Sequence, residues 1–231
     1  MENIVLKLTT VSNLFIGDTP SSFEIGGVDS YTITDMEGYP YIPASSYKGV
    51  LRKIAREMEE DGDGIALEIA DKYRIYLENL KEANEKKLSA GGEKNLEKDR
   101  IKAMRERFDK SIGEASVQYL FGIQGFNNSP RLIFNDLVLA GKKDIHRLFS
   151  VDTKNTIITS GEDIKALPRT YKTVCPGVEF TGEILLYRME LLSAPCVKGF
   201  VEKALKEFNY GIYRLGNSGS RGYGRVKVLI V

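Results

Sequence analysis

The sequence predicts an α+β protein with a ferredoxin-like (RRM-like) βαββαβ core. Three observations predict it: two amphipathic helical stretches lie far apart in the chain, strand-like stretches flank each of them, and the order reads β-α-insertion-β-excursion-β-α-β. Such an order folds as an antiparallel sheet with two helices on one face.

Taken in turn, Asn3 to Val11 alternates, with Ile4, Leu6 and Leu8 on one side, and predicts a strand. A Gly/Ser/Asp-rich loop follows from Gly17 to Asp35. In "IPASSYKGVLRKIAREMEE", Tyr47, Val50, Leu51, Ile54, Ala55 and Met58 share one helical face, with Ser45 or Ser46 as a natural N-cap. Residues 60–113 are dense in both charges and poor in apolar side chains. They read as solvated helices with a break at Gly91-Gly92, or as partly disordered. "PRLIFNDLVLA" predicts a strand from Arg131 to Ala140, and residues 151–174 form a polar stretch without clear period. "GVEFTGEILLYRMELL" predicts a long strand, and Val197, Phe200, Val201, Ala204, Leu205 and Phe208 mark a helix ending near Tyr210-Gly211. Arg225 to Val231 is the last strand. The whole chain, 1–231, is expected to be one domain, with specialisation in the insertion 60–113 and the excursion 151–174.

Composition narrows the function. With 231 residues, 42% of them hydrophobic, the chain is long enough for a sizeable core, and a formal charge of +1 disfavours a uniformly basic binder while leaving room for a local patch. Cys175 and Cys196 have no paired spacing, which argues against structural zinc and for reduced thiols in the cytoplasm. No apolar run reaches membrane-spanning length, and "MENIVLKLTT" lacks the layout of a signal peptide, so no membrane partner is expected. The single histidine, His146, reads as a surface or packing residue and leaves little scope for histidine-based catalysis.

Two segments carry candidate chemistry. Ser45 and Ser46 lie at the start of the first helix, with Lys48 in its first turn and Arg52 one turn on. Free N–H groups, hydroxyls and cations there suit a phosphate, and equally describe an ordinary capped helix with lysines facing solvent. The second segment is "YRLGNSGSRGYGRVKVLIV". It links a helix to a strand, so it is no dinucleotide fingerprint, and it is no Walker loop. Gly216, Asn217, Ser218, Gly219, Ser220, Arg221 and Gly222 offer bare N–H groups, hydrogen-bonding side chains and one cation. Both segments could grip one stretch of sugar-phosphate backbone; the alternative is a glycine-rich turn that permits close packing.

"GGVDSYTITDMEGYPYIPASSYKGVLR" and "RLGNSGSRGYGRV" resemble the N-terminal signature and C-terminal glycine-rich loop of the RAMP superfamily. "YLFG" at Tyr119 to Gly122, "RLIFNDLVL" and "NTI…LPRTYKTVCPGVEF" match in the same order. The resemblance spans nearly the whole chain, is weakest over 60–113, and is greatest to the repeated RNase backbone subunit of type III-A (Csm) CRISPR complexes. It implies a ribonucleoprotein subunit of antiviral defence that lines up with further copies of itself along a guide CRISPR RNA, alongside other subunits of a type III effector complex. It implies a lid-like insertion at 60–113 and a β-hairpin thumb within 151–174 that splays the duplex with single-stranded target RNA. Ile157, Ile158, Arg169 and Lys172 are the thumb residues expected to touch RNA. It further implies that Asp29, in "GGVDS", is the catalytic residue and metal ligand of an endonuclease, using Mg²⁺, with Mn²⁺ the alternative. From the residues alone Asp29 reads as an Asx-turn. Asp18, Asp35 and Glu37 are conceivable outer ligands.

Two departures from the family are mild, Ala44 where glycine is frequent and Tyr47 where leucine or phenylalanine is; Phe15 stands where many relatives carry histidine, so a histidine contribution is not expected at that position, and Asp29 is untouched by it. RNA brings its own nucleophile, the 2′-hydroxyl, so a kinked strand and one carboxylate-bound cation suffice for cleavage. The alternatives are a non-catalytic RNA-binding RAMP subunit and a metal-independent endoribonuclease that processes CRISPR RNA. A lone histidine argues against the latter.

Overall fold

A computed structural model describes residues 2–17, 28–91, 98–141, 144–160, 163–192 and 195–231. The chain forms two compact units: Met1–Asn3 with Arg52–Ile133 and Leu185–Ala204, and Ile4–Leu51 with Phe134–Ile184 and Leu205–Val231. Helix α1 (Ala44–Glu60), strand β3 (Arg131–Phe134), strand β7 (Glu179–Tyr187) and helix α4 (Cys196–Lys206) each run through a boundary between them.

The first unit contains α2 (Gly64–Gly91) and α3 (Lys98–Gly113), drawn from the charge-dense region. Its apolar residues are few but concentrated. Ala66, Ile69, Tyr73 and Leu77 recur at helical spacing on α2 and are all 0% exposed. Ile101 and Phe108 are buried on α3, and Phe108 meets Phe126 edge-on at 5.0 Å. These helices therefore contribute to a core and are not merely solvated. The Tyr73 hydroxyl donates to the carbonyl of Pro130 at 2.9 Å. At the end of α1 the Glu59 carboxylate accepts from the Ser116 hydroxyl (2.5 Å) and the Val117 N–H (3.0 Å), anchoring the 3₁₀ turn Val117–Phe121. Asp63 is the N-cap of α2: its carboxylate accepts from the N–H groups of Ile65 and Ala66, both at 3.0 Å, and pairs with Lys203 at 2.6 Å.

The second unit contains β1 (Asn3–Thr10), β2 (Ser30–Tyr31), β4 (Val138–Leu139), β5 (Phe149–Ser160), β6 (Asp163–Val174) and β8 (Val226–Ile230). The larger sheet has the order β3-β7-β1-β8, with β4 also on β7. β1 and β8 are antiparallel, Leu6 facing Ile230 and Thr10 facing Val226. The smaller sheet has the order β2-β6-β5. Phe180 and Phe208 are among the largest fully buried side chains here.

Three expectations drawn from the local residue pattern alone change. The strand expected from Arg131 to Ala140 is broken into β3 and β4, because Asn135, Asp136 and Leu137 turn toward the first helix: Leu137 exchanges both backbone bonds with Ile42 at 2.9 Å. Neither Ser45 nor Ser46 caps α1; the Ala44 N–H donates instead to the Asp136 carboxylate at 2.7 Å. The polar stretch 151–174 is a continuous antiparallel hairpin, paired from Phe149 opposite Val174 to Ser160 opposite Asp163. Its polarity hid a period of two, since neither face is strongly apolar.

Two measurements probe the first unit. Tyr73→Phe should lower stability by about 1–2 kcal/mol, read by urea denaturation, because the Pro130 carbonyl loses its buried donor; no loss would remove that bond from the account. The hydrogen bond from Lys203, ahead of the cap bonds, holds the Asp63 carboxyl below its usual range. A folded-state value below the unfolded value of about 3.9 means a contribution complete above that pH and lost as pH falls through the folded value. The stability gap between wild type and Asp63→Asn should thus stay constant from about pH 8 to 5 and narrow below about pH 4. A gap that widens on acidification would contradict this.

Candidate nucleic-acid interface

Asp29 is exposed, yet it is clamped. Its N–H donates to the Thr170 carbonyl at 2.9 Å, and its carboxylate accepts from the Thr170 N–H at 2.5 Å. The parallel pairing of Ser30 with Tyr171 continues the attachment along β6. The side chain thus bonds a strand far away in sequence, where an Asx-turn would bond its own following residues. Its acidic neighbour Asp35 is committed to a turn, one carboxylate oxygen accepting from the N–H groups of Glu37 (3.0 Å) and Tyr39 (2.9 Å). Asp18 lies outside the described residues. Among the described residues no group of three His, Cys, Asp or Glu side chains converges to hold a metal.

The glycine-rich loop folds back on residues 13–17. The Gly224 N–H donates to the Asn13 carbonyl and the Asn217 N–H to the Phe15 carbonyl, both at 2.8 Å. Two glycines are required by that approach. At Gly216 (φ 72°) a Cβ would lie 2.2 Å from the Phe15 oxygen, and at Gly224 (φ 73°) 1.9 Å from the Leu215 oxygen. Gly219 differs: a Cβ there would meet only the Arg214 side chain, at 3.4 Å, an ordinary contact. The fold itself does not demand its bare backbone. Ser218 is left-handed (φ 62°), Gly219–Arg221 form one 3₁₀ turn and Gly222 is left-handed again (φ 94°). Within this turn the Arg221 N–H donates to the Ser218 carbonyl at 2.9 Å and the Gly222 N–H to the Gly219 carbonyl at 3.1 Å, so these two donors serve the turn itself. Ser220 and Arg221 are exposed on it.

At the start of α1, Ser45 is exposed and Ser46 half-buried. The end is partly occupied: Asp136 takes the Ala44 N–H, and the Ser46 N–H donates to the Pro43 carbonyl at 2.9 Å. A phosphate would find hydroxyls and Lys48 there more than free backbone donors. Lys48 sits over the Phe134 ring, 5.7 Å from its centroid. Tyr47 is buried; its hydroxyl donates to the Asn135 carbonyl at 2.6 Å, and burial, then the Asp136 charge, pushes the phenol up. Arg52 is exposed and its Nε donates to the Gln118 side chain at 3.2 Å. The bonds traced from the loop run to residues 13–17 and to β5, and those from Ser45 to Lys48 run to residues 43 and 134–136.

Of the hairpin residues, Arg169 is exposed opposite Lys154, and Lys172 lies over the Phe149 ring at 4.3 Å near the hairpin base. Ile157 and Ile158 are on β5, opposite Ala166 and Lys165; their side chains lie outside the described residues. Sequence reasoning missed Asn13, Asp152 and Lys154, which bind the loop to the hairpin. The signal was present: Ser150, Asp152 and Lys154 alternate at period two. Among the described residues no helix is long and apolar enough to cross a membrane.

A family model described as the RAMP superfamily matches residues 7–227, and the chain belongs to that superfamily. The chain is also similar to a protein of Methanocaldococcus jannaschii named "CRISPR system Cms endoribonuclease Csm3", 28% identical over 247 residues that cover 98% of this chain and 81% of the relative. The kinship read from the sequence motifs is thereby met across the chain.

The two kinds of glycine are separable. Gly224→Ala should cost about 2–5 kcal/mol by thermal or urea denaturation, combining overpacking with backbone strain. Gly219→Ala should stay within about 0.5 kcal/mol of wild type. Equal losses would make the loop a purely structural turn.

Proposed function

We propose that this chain is a guide-RNA-binding backbone subunit of a type III CRISPR effector complex that cuts complementary target RNA, with Asp29 at the cut. The observation that carries the reading is the clamp of Asp29 on Thr170, which fixes an exposed carboxylate beside the base of a long two-stranded hairpin. The similarity to a relative named as an endoribonuclease supports it. The strand order β3-β7-β1-β8, with β1 and β8 antiparallel, supports a ferredoxin-like core. In this reading the hairpin is the thumb that splays the guide–target duplex, and α2 with α3 is the lid. The chain acts as one RAMP domain in a filament of its own copies.

In this reading Ser220 and Arg221, exposed on the glycine-rich loop, meet guide phosphates, and Ser46, Lys48 and Arg52 are the phosphate contacts on α1. Base pairing supplies sequence specificity, so the protein itself needs little base preference. The donor set at Asp29 fits a hard divalent cation such as Mg²⁺ or Mn²⁺: one exposed carboxylate, the remaining ligands being RNA phosphate and water. When bound, the ion would stabilise charge developing on the scissile phosphate. Asp29 holds that position because Thr170 occupies part of its carboxylate and all of its backbone donor capacity. The kinked target strand aligns its own 2′-hydroxyl with the P–O5′ bond, which breaks as the 2′-oxygen bonds phosphorus.

In the assembled complex with guide RNA, Asp29→Ala should reduce target cleavage by about 100-fold or more while guide affinity changes less than about threefold. Cleavage at the wild-type rate would remove Asp29 from the reaction and favour a purely structural RNA-binding subunit. Lys48→Ala and Arg52→Ala should each lower the steepness of log K against log salt by about 0.7, with equal effects on unrelated guide sequences. An unchanged slope would exclude a phosphate contact at that residue.

A further inference from the structure

The hairpin base ties the glycine-rich loop and the Asp29 loop to neighbouring positions. On β5, Ser150, Asp152 and Lys154 project from one face, because successive residues of a strand alternate. All three engage the loops beside them. The Asp152 carboxylate accepts from the Tyr223 hydroxyl and from the Asn13 side-chain amide, both at 2.7 Å. The same Asn13 amide reaches the Ser150 hydroxyl at 3.1 Å. The Lys154 ammonium lies over the Tyr223 ring, 3.6 Å from its centroid, and donates to the Arg221 carbonyl at 3.3 Å. Tyr223 is buried, although it belongs to a loop otherwise rich in exposed residues.

Across the hairpin, Asp152 is opposite Tyr171, and Thr153 is opposite Thr170. Thr170 is the residue that clamps Asp29. The glycine-rich loop is therefore fastened to β5 at Asp152 and Lys154, and Asp29 to β6 at the rung between them. The paired strands transmit position rigidly: directly opposed residues sit about 4.5–5.5 Å apart. Residues 13–17 close the ring, since Leu14 exchanges backbone bonds with Val174 (2.9 and 2.8 Å) and the Phe15 ring meets Tyr171 edge-on at 5.1 Å.

We propose that Asp152, acting through Tyr223 and Asn13, is a positioning residue that sets the offset between the guide-backbone loop and the carboxylate of Asp29, and so determines which phosphodiester is cut. The inference rests on the proposed function and adds a specificity determinant to it. A guide phosphate held at Gly219–Gly222 is thereby referred to the cut site through two hydrogen bonds and one strand pairing. Asp152 touches neither RNA nor ion in this account. Its effect is therefore on register and rate, not on affinity.

The test uses the assembled complex with guide RNA and an end-labelled target, read at single-nucleotide resolution. Wild type is expected to cut at one phosphodiester per subunit. Asp152→Ala should spread cuts over neighbouring phosphodiesters and lower kcat between about 10- and 100-fold, with guide affinity and its salt slope unchanged. Tyr223→Phe keeps the buried ring and the Lys154 contact, and removes only the hydroxyl; it should produce the same spreading in milder form. If Asp152→Ala does not fold, Tyr223→Phe decides. Single, unshifted cuts at wild-type kcat in these variants, with Asp29→Ala inactive, would overturn this inference alone. Normal cutting by Asp29→Ala would overturn it together with the proposed function.

Discussion

The register of the β5–β6 pairing is the constraint on which the candidate site depends. Thr170 faces Thr153 across the hairpin and presents both its N–H and its carbonyl to Asp29 on the other side. A slip of one residue would turn every side chain of the hairpin to the opposite face. Asp152 and Lys154 would leave the glycine-rich loop, and Thr170 would no longer offer its backbone to residue 29. β6 is held against such a slip from both sides, by β5 along twelve residues and by β2 and the Leu14 bridge near its end. Backbone pairing therefore does for the site what a metal or disulfide does elsewhere: it makes the position of an exposed side chain a property of the fold.

Charge is used locally. With a formal charge of +1 the overall field of the chain gives little attraction to a polynucleotide, so the proposed function rests on placed contacts. Among the described residues Lys48, Arg131, Lys154 and Lys172 lie over aromatic rings, those of Phe134, Tyr187, Tyr223 and Phe149. An aromatic face orients an ammonium without neutralising it. Lys154 is spent on the loop's own carbonyl and is structural. Arg221 is exposed at the end of the same turn, its carbonyl accepting from Lys154.

Strand β1 and helix α4 were legible because their apolar residues are periodic: Ile4, Leu6 and Leu8 on β1, and Val197, Phe200, Val201 and Ala204 on α4, are all buried as the pattern requires. Gly211 (φ 75°) closes the 3₁₀ turn after α4 where the Tyr210-Gly211 signal lies. The hairpin was not legible from periodicity, since it pairs two polar sequences; only the family resemblance implied a hairpin there. The cap on α1 was misassigned for a related reason. Serine at a helix start is a local signal, but the donor at Ala44 is met by Asp136, 92 residues away, which no local pattern reveals. For the candidate site, motif resemblance is what nominated Asp29 and the glycine-rich loop. It could not distinguish Gly224, bare because Leu215 leaves no room, from Gly219, bare without any internal need. Tyr223 stood in plain view inside that loop, and its role appears only when Asp152 is seen beneath it.

The central claim is that target RNA is cut beside the strand that clamps Asp29. It is tested most directly by placing a photoreactive nucleotide at the scissile position of a target bound to the assembled complex, and sequencing the crosslinked peptides. The account predicts crosslinks to the segments around residues 28–31 and 169–172. Efficient crosslinks that map elsewhere on this subunit, with none to those two segments, would contradict it.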